Sequence, residues 1–233
     1  ATRAARVAPG MLQRLPRHLQ EVPVLRIHDG GFLRTHAEEP GIEGLHVGQG
    51  CAGLHVARVG KQRIGYAGGT KPNPTYHALG DHTESFQVDF DPTVLSYDRL
   101  LDMFWNAHNP CDKGYSRQYM SAVFVANDAQ QRAAEASKVR VEKELGRAVK
   151  TPILPLGIFT NAEDYHQKYY LRNSPLFNDF KSMDATAFRE SPAAMRVNGF
   201  VAGDGDPADL KACIDKLGLS EQGRSQLLPA GDK

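Results

Sequence analysis

The residues from Gly65 to Glu84, GYAGGTKPNPTYHALGDHTE, constrain the fold more than any other stretch of this chain. Its glycines permit turns that a side chain would block, and its two prolines fix the path between those turns. Directly after it, residues 84–90 alternate in polarity, which predicts a strand with one buried face. The stretch therefore predicts a rigid loop that presents polar side chains, with Glu84 at the mouth of a core-facing row.

Hydrophobic spacing elsewhere predicts a mixture of strands and helices. Ser96 is a candidate N-cap for a helix, and Asn127 or Asp128 for a longer one. We predict strands at 23–28, 119–125 and 152–159, irregular chain at 29–50, and helices at 97–108, 127–145, 162–171 and about 207–217. This order, with antiparallel pairing, favours an α+β fold in the form of a two-layer sandwich.

Composition narrows the class of protein. With 233 residues and 41% hydrophobic side chains, the chain can bury one full core, so one large domain with extensions is sufficient. A formal net charge of +1 does not indicate a nucleic-acid partner. No apolar run approaches the roughly 18 residues of a membrane span, so the sequence predicts a soluble protein.

The cysteines and the first residues bear on the compartment. Cys51, Cys111 and Cys213 lack the paired spacings of a zinc site or a secreted disulfide framework, which favours a reducing, cytoplasmic setting. Residues 1–22 form a basic arm with four arginines. It has the composition of a transit sequence to a mitochondrion or chloroplast, or of an arm that docks on a partner in a larger assembly.

Four motifs in a fixed order resemble one known family. They are GYAGGTKPNPTY at 65–76, GDHTE at 80–84, QYMSAVF at 118–124 and AEDYHQKYYL at 162–171. In this order they resemble peptide methionine sulfoxide reductase A. The resemblance implies a ferredoxin-like core with long loop excursions, a reductase-like domain at 23–180 and a C-terminal extension at 181–233.

The resemblance also implies a reaction. Members reduce methionine S-sulfoxide, free or in proteins, to methionine through a cysteine sulfenic acid, and thioredoxin or a small thiol then restores the cysteine. No metal or organic cofactor is expected.

Cys51 matches the nucleophile of the family, which sits at a helix start that favours the thiolate. Glu84 matches the acid, and burial would keep it protonated by raising its pKa. Tyr76 and Tyr119 match the tyrosines whose hydroxyls hold the sulfoxide oxygen.

Three further residues are candidates for lesser or alternative roles. Asp112 is a looser match to an aspartate that the family places ahead of the QY pair. Cys111, close to Asp112 and Tyr119 in sequence, is a candidate resolving cysteine or alternative nucleophile. Cys213 is the C-terminal candidate for the resolving role, although its place on the apolar face of the 207–217 helix favours a core position.

The chain also departs from the family pattern. Where members carry Phe-Trp after the nucleophile, as a wall for the substrate methyl group, this chain has Ala52 and Gly53. Met120 replaces the usual arginine after the QY pair. These departures leave two interpretations open: a peptide-methionine (S)-S-oxide reductase that serves protein repair, or a weak or inactive reductase-like subunit or adaptor of a larger complex.

Overall fold

The structure is a computed structural model of the chain. It describes residues 20–21, 25–26, 59–90, 92, 95–112, 116–203 and 207–228. The predictions for most of the basic arm, for the irregular chain at 29–50 and for Cys51 therefore lie outside the described residues. The strand predicted at 23–28 is described only at residues 25–26, where a strand is present.

The strands belong to one mixed sheet. They are β1 (Gln20–Glu21), β2 (Leu25–Arg26), β3 (Val59–Ala67), β4 (Thr83–Phe90), β5 (Ala122–Val125), β6 (Ile153–Pro155) and β7 (Thr160–Asn161). Their order across the sheet is β6-β5-β2-β4-β3-β7, and β1 pairs with the far end of β4. All pairings are antiparallel except that of β5 with β6.

The helices fall between and after the strands. They are α1 (Tyr97–Asn106), α2 (Asp128–Leu145), α3 (Tyr169–Arg172), α4 (Ala185–Glu190), α5 (Pro192–Ala202), α6 (Pro207–Cys213) and α7 (Glu221–Leu227), with 3₁₀ turns at Asp164–His166, Pro175–Phe180 and Ile214–Lys216. Both predicted N-caps are confirmed. Ser96 Oγ accepts from Arg99 N at 3.2 Å, and Asn127 Oδ1 accepts from Gln130 N at 3.0 Å. The architecture is α+β, as predicted.

Helices α1 and α2 pack on part of the sheet, and an apolar core lies between these helices and the sheet. Trp105 Nε1 on α1 donates to Ser137 Oγ on α2 at 2.9 Å, which joins the two helices. We call the following buried set the sheet core: Phe86, Val88, Phe90, Leu95, Leu100, Leu101, Phe104, Trp105, Val123, Val125, Ala134, Val141, Val149 and Met195. Three members alternate along β4, as the sequence predicted.

The prediction that β4 buries only one face is wrong. Ser85 and Gln87 alternate with the core residues of β4, yet they are 0% and 6% exposed. Strands β2 and β1 pair with one edge of β4 and β3 pairs with the other, but in-plane partners cover only edges, so these side chains are buried by chain that packs over the second face. Packing over the second face buries side chains whose polarity alone indicated solvent.

Two predicted elements are interrupted. The strand predicted at 152–159 ends at Pro155, and the chain turns at Gly157, whose φ is +61°. A separate strand, β7, begins at Thr160 and lies at the opposite edge of the sheet. The helix predicted at 162–171 is broken at Lys168, whose φ is +51°. That turn delivers the Gln167 side chain to β3, where it donates to Ile64 O at 2.8 Å and accepts from Ile64 N at 3.0 Å.

The C-terminal helices enclose a second apolar core. We call it the C-terminal cluster: Leu171, Leu176, Phe180, Phe188, Ala194, Val197, Leu210, Ile214, Leu217 and Leu219. The helix predicted at about 207–217 is α6 followed by a 3₁₀ turn, and Gly218 at φ +69° ends it. None of the described helices is long and apolar enough to cross a bilayer.

Candidate functional site

The loop between β3 and β4 is held by side chains that bind its backbone. Arg117 donates to Gly68 O at 2.7 Å and to Asp81 O at 2.9 Å. The Asp81 carboxylate accepts from Thr70 N and Lys71 N, and these backbone donors, with the Thr70 hydroxyl, hold its pKa below the usual range. Residues 68–82 therefore form a fixed frame, as the sequence predicted.

Glycine is required where this frame approaches its neighbours. Gly68 has a φ of +74°, and a Cβ there would lie 2.2 Å from the Phe124 ring. A Cβ on Gly69 would lie 2.5 Å from the ring of His82, whose Nε2 is 2.8 Å from Lys71 O. The close approach of loop and sheet depends on both positions.

Glu84 lies at the start of β4, where the loop meets the sheet. It pairs with Tyr66 of β3 and is only 4% exposed. Its backbone N donates to Gln118 O at 3.2 Å, and its Oε1 accepts from Gln118 Nε2 at 2.6 Å. The prediction that Glu84 is buried at the end of an apolar row is confirmed.

The two predicted tyrosines meet beside this carboxyl. Tyr76 Oη and Tyr119 Oη are 3.4 Å apart, and Gln118 Nε2 donates to Tyr119 Oη at 3.1 Å. Tyr76, Gln118 and Tyr119 are each half-buried. We call Glu84, Tyr76, Tyr119 and Gln118 the polar site. Its two tyrosine hydroxyls and its glutamine amide belong to half-buried side chains, and its carboxyl is buried.

Glu163 supports the polar site from the turn that follows β7. Its carboxylate accepts from Tyr66 Oη at 2.6 Å and from Tyr76 N at 3.0 Å. Burial raises the pKa of Glu163, but the hydrogen bonds from Tyr66 and the backbone outweigh that and leave the pKa lowered. Burial, and then Glu163, raise the pKa of Tyr66, so its hydroxyl keeps the proton that it donates.

His166 packs beside Tyr76, with ring centroids 4.9 Å apart. Its side chain is 6% exposed, and burial lowers its pKa. The Tyr165 ring also contacts His166, with centroids 4.1 Å apart and the rings tilted by 45°, and Tyr165 is 53% exposed. These contacts fit a structural role at the rim of the polar site.

Sequence reasoning did not single out Gln118, Tyr66 or Glu163. Each nevertheless lies inside a motif that carried the resemblance. The sequence showed the motif but not the hydrogen bond that each side chain makes. The signal available for Glu163 was a carboxylate ahead of a histidine, and for Gln118 its place directly before Tyr119. Neither pattern says which partner the side chain meets.

The remaining predicted site residues lie apart from these contacts or outside the described residues. Asp112 is exposed, and its Oδ2 accepts from Asn109 Nδ2 at 2.7 Å. Cys111 is a free thiol, 1% exposed. Cys213 is half-buried against the C-terminal cluster, and burial raises its pKa. Cys51 is not among the described residues.

A buried carboxyl beside two tyrosine hydroxyls, on an α+β scaffold, defines a site that can bind an oxygen atom as it gains negative charge. The family model described as peptide methionine sulfoxide reductase matches residues 54–194, so Cys51 precedes the matched segment. The chain belongs to the peptide methionine sulfoxide reductase family, and the resemblance seen in its motifs is confirmed.

Similar proteins span several kingdoms. A peptide methionine sulfoxide reductase of Drosophila melanogaster is 33% identical over 205 residues, which cover 86% of this chain and 82% of the relative. A relative of that name in Ectopseudomonas mendocina is 37% identical over 188 residues, covering 71% of this chain and 84% of that protein. The high coverage extends the relationship into the C-terminal helices.

Solved structures share the fold. Yeast Mxr1 in its reduced form superposes with a TM-score of 0.55 at 21% identity, over 67% of this chain and 91% of that one. Methionine sulfoxide reductase A of Corynebacterium diphtheriae gives a TM-score of 0.50 at 26% identity, over 67% and 76%.

Proposed function

We propose that this chain is a peptide-methionine (S)-S-oxide reductase that converts methionine S-sulfoxide, free or in proteins, to methionine. The observation that carries the proposal is the polar site, where the carboxyl of Glu84 and the hydroxyls of Tyr76 and Tyr119 lie together. Family membership supplies the substrate class. The polar site supplies a place for the sulfoxide oxygen.

The proposed reaction moves one oxygen atom. A cysteine thiolate attacks the sulfoxide sulfur while Glu84 gives a proton to the sulfoxide oxygen, and the tyrosine hydroxyls donate hydrogen bonds to it. The attack forms a bond between the two sulfur atoms. The oxygen then passes to the cysteine sulfur as that bond and the substrate's sulfur–oxygen bond break, so methionine leaves and the cysteine becomes a sulfenic acid. A second thiol then attacks the sulfenic acid, which gives a disulfide and water.

Cys51 remains our proposed nucleophile, on the strength of its position in the resemblance. Cys111 is the alternative, as nucleophile or as resolving cysteine. Its 1% exposure argues against either role in the conformation described, because a reacting thiolate must reach its partner. Asp112 keeps its proposed supporting role, although its described contact is with Asn109.

Regeneration is proposed to depend on thioredoxin or a small thiol. Cys213 is the C-terminal candidate for resolving the sulfenic acid. Its contacts with the C-terminal cluster and its raised pKa both favour the core position instead. An external thiol that attacks the sulfenic acid directly, with a second thiol that reduces the mixed disulfide, needs no resolving cysteine, so turnover with such a thiol does not depend on Cys213.

A second function rests on the residues that follow Cys51. Ala52 and Gly53 stand where an aromatic wall is expected, and loss of one well-buried aromatic contact costs about 1.5–3 kcal/mol. This favours the alternative of a weak or inactive reductase-like subunit or adaptor, held in a complex by the basic arm at 1–22. The retained polar site favours the enzyme.

The finer architecture and the compartment are also proposals. We propose a ferredoxin-like core within a two-layer sandwich at 23–180 and an extension at 181–233. The antiparallel β3–β4 pair and the helices α1 and α2 support the first part. We propose a cytoplasmic setting, with mitochondrion or chloroplast as the alternative that the arginines of the arm favour.

The experiment that tests the function is turnover of a blocked methionine S-sulfoxide with dithiothreitol as reductant. Parent protein is compared with Cys51→Ser and Cys111→Ser, and the R-epimer serves as a negative control. Turnover lost only in Cys51→Ser supports the proposed nucleophile, and loss only in Cys111→Ser transfers that role to Cys111. A parent protein without turnover refutes the enzyme and leaves the adaptor.

A further inference from the structure

We propose that Gln118 is a positioning residue that fixes where the acidic hydrogens of Glu84 and Tyr119 lie. The proposal deepens the proposed function, on which its catalytic meaning rests. Gln118 need not touch the substrate for this role. It acts through the two side chains that its amide contacts.

The backbone around Gln118 is held in place before β5 begins. Tyr119 N donates to Ser116 Oγ at 3.2 Å, and Thr83 Oγ1 donates to Arg117 O at 3.0 Å. Gln118 O accepts from Glu84 N at 3.2 Å. The main chain of residues 116–119 is thus bound to the start of β4, so the Gln118 side chain leaves from a fixed point.

The amide nitrogen of Gln118 faces two oxygens at once. Nε2 is 2.6 Å from Glu84 Oε1 and 3.1 Å from Tyr119 Oη. A primary amide nitrogen carries two hydrogens and has no lone pair to accept a bond. Both oxygens therefore accept from Gln118 at these contacts.

This arrangement restricts the hydrogens on both partners. With Oε1 engaged as an acceptor, the acidic proton of Glu84 belongs on Oε2. With one lone pair of Tyr119 Oη engaged, its own O–H is directed away from Gln118, and Tyr76 Oη lies 3.4 Å from the same oxygen. That distance is longer than the roughly 2.5–3.0 Å of an ordinary O–H···O bond, and a third oxygen to one side of the line between the two hydroxyls can contact both at ordinary hydrogen-bond distance.

The charge of the neighbours explains why an amide suits this position. Tyr66, across from Glu84 on β3, keeps its proton because burial and Glu163 raise its pKa. The Arg117 guanidinium points elsewhere, to Gly68 O and Asp81 O. The uncharged amide supplies hydrogens without the full positive charge that would favour ionised Glu84.

The test replaces Gln118 by Met, which has a similar length and no hydrogen to donate. Gln87→Met is the matched control, since Gln87 is a buried glutamine of β4 outside the polar site. The carboxyl carbon of Glu84 is followed by ¹³C NMR as pH changes, in protein labelled at glutamate and assigned through Glu84→Gln. Turnover of the blocked S-sulfoxide is measured over the same pH range.

We expect the titration midpoint of Glu84 in Gln118→Met to move up by about one pH unit, because the ionised carboxyl loses a charge-assisted donor. The alkaline limb of kcat should move with it, and kcat should fall about tenfold with little change in KM. Gln87→Met should leave the midpoint and the profile in place. Gln118→Asn, which keeps the amide but shortens its reach, should behave as Gln118→Met does.

A fall in kcat with an unmoved midpoint would overturn the proposal, because it indicates a merely structural role. An unmoved midpoint together with unchanged kcat would overturn it too. The NMR titration does not require turnover, so it decides the placement of Gln118 even if the parent protein is inactive. An inactive parent with a shifted midpoint refutes the proposed function while the hydrogen-bond role of Gln118 stands.

Discussion

The C-terminal cluster and the Glu84 carboxyl of the polar site are both buried, but they are buried for different reasons. In the C-terminal cluster, apolar side chains such as Phe188 and Leu210 leave water, and area removed from solvent stabilises the fold. At the polar site, Glu84 is 4% exposed and would be costly without its partners. The C-terminal cluster is therefore sensitive to a change in the shape of an apolar side chain. The polar site is instead sensitive to the loss of a hydrogen-bond partner.

The sharpest way to separate the two regions is Glu84→Gln. It keeps the size of the side chain but removes the acidic proton, and general acid catalysis typically contributes 10²–10⁴-fold, so we expect about a 10³-fold loss of kcat with stability nearly unchanged. Steady-state turnover and thermal unfolding measure the two effects. Glu190→Gln, at a half-buried ion pair with Lys61, is the control. Full activity in Glu84→Gln would remove Glu84 from the mechanism.

The converse change is Phe188→Ala in the C-terminal cluster. The ring is 2% exposed and contacts Phe177, Phe180 and the Arg172 guanidinium, so we expect a cost of about 3–5 kcal/mol in unfolding free energy. Activity per folded molecule should stay close to that of the parent. Urea unfolding measures the cost, with Val139→Ala, at a side chain 64% exposed, as control. Equal losses in both variants would contradict the assigned burial.

A smaller effect is expected where a buried contact supports the polar site from outside. In Glu163→Gln, the amide has one acceptor oxygen for two donors, Tyr66 Oη and Tyr76 N. One donor then loses its partner, which costs about 1–3 kcal/mol of stability, and the displaced Tyr76 should lower kcat/KM about tenfold. Unfolding and kinetics are measured together, and a loss of stability without any loss of activity would show that Glu163 does not position Tyr76.

The smallest expected effect concerns pH. Burial, joined by His77 and partly opposed by Glu163, lowers the pKa of His166, so the unfolded chain binds a proton first as pH falls. Stability from this group is present above the unfolded pKa of about 6.5 and is lost as pH falls from there toward the lower folded value. The slope of unfolding free energy against pH below about 6.5 should be shallower in His166→Phe. An identical slope would exclude His166 as its source.

The contacts of the C-terminal cluster were easier to predict from the sequence than those of the polar site, for a physical reason. The helix at about 207–217 was predicted to have one apolar face because helical periodicity is visible in its sequence, and Leu210, Ile214 and Leu217 are buried. Glu84, Tyr76 and Tyr119 were assembled by resemblance to a family, and their hydroxyls and carboxyl do lie together. Gln118 and Glu163 were missed, because no periodicity relates Gln118 to Glu84 or Glu163 to Tyr66.

The errors have the same origin. Lys168 breaks the helix predicted at 162–171 because Gln167 must reach Ile64 on β3, a contact 103 residues away in sequence. Ser85 and Gln87 are buried although their polarity indicated solvent, because other parts of the chain pack over the second face of β4. Local preference was overridden in each case by partners distant in the chain.

By itself, the sequence determined the caps Ser96 and Asn127, the alternation of β4 and the glycine frame before it, since these depend on neighbouring residues and on the conformations that each residue allows. Only the tertiary structure decided that Gln118 joins Glu84 to Tyr119, that Glu163 holds Tyr66 and Tyr76, and that Cys111 is enclosed. Hydrogen bonds and burial between distant segments depend on distances that exist only once the chain has packed.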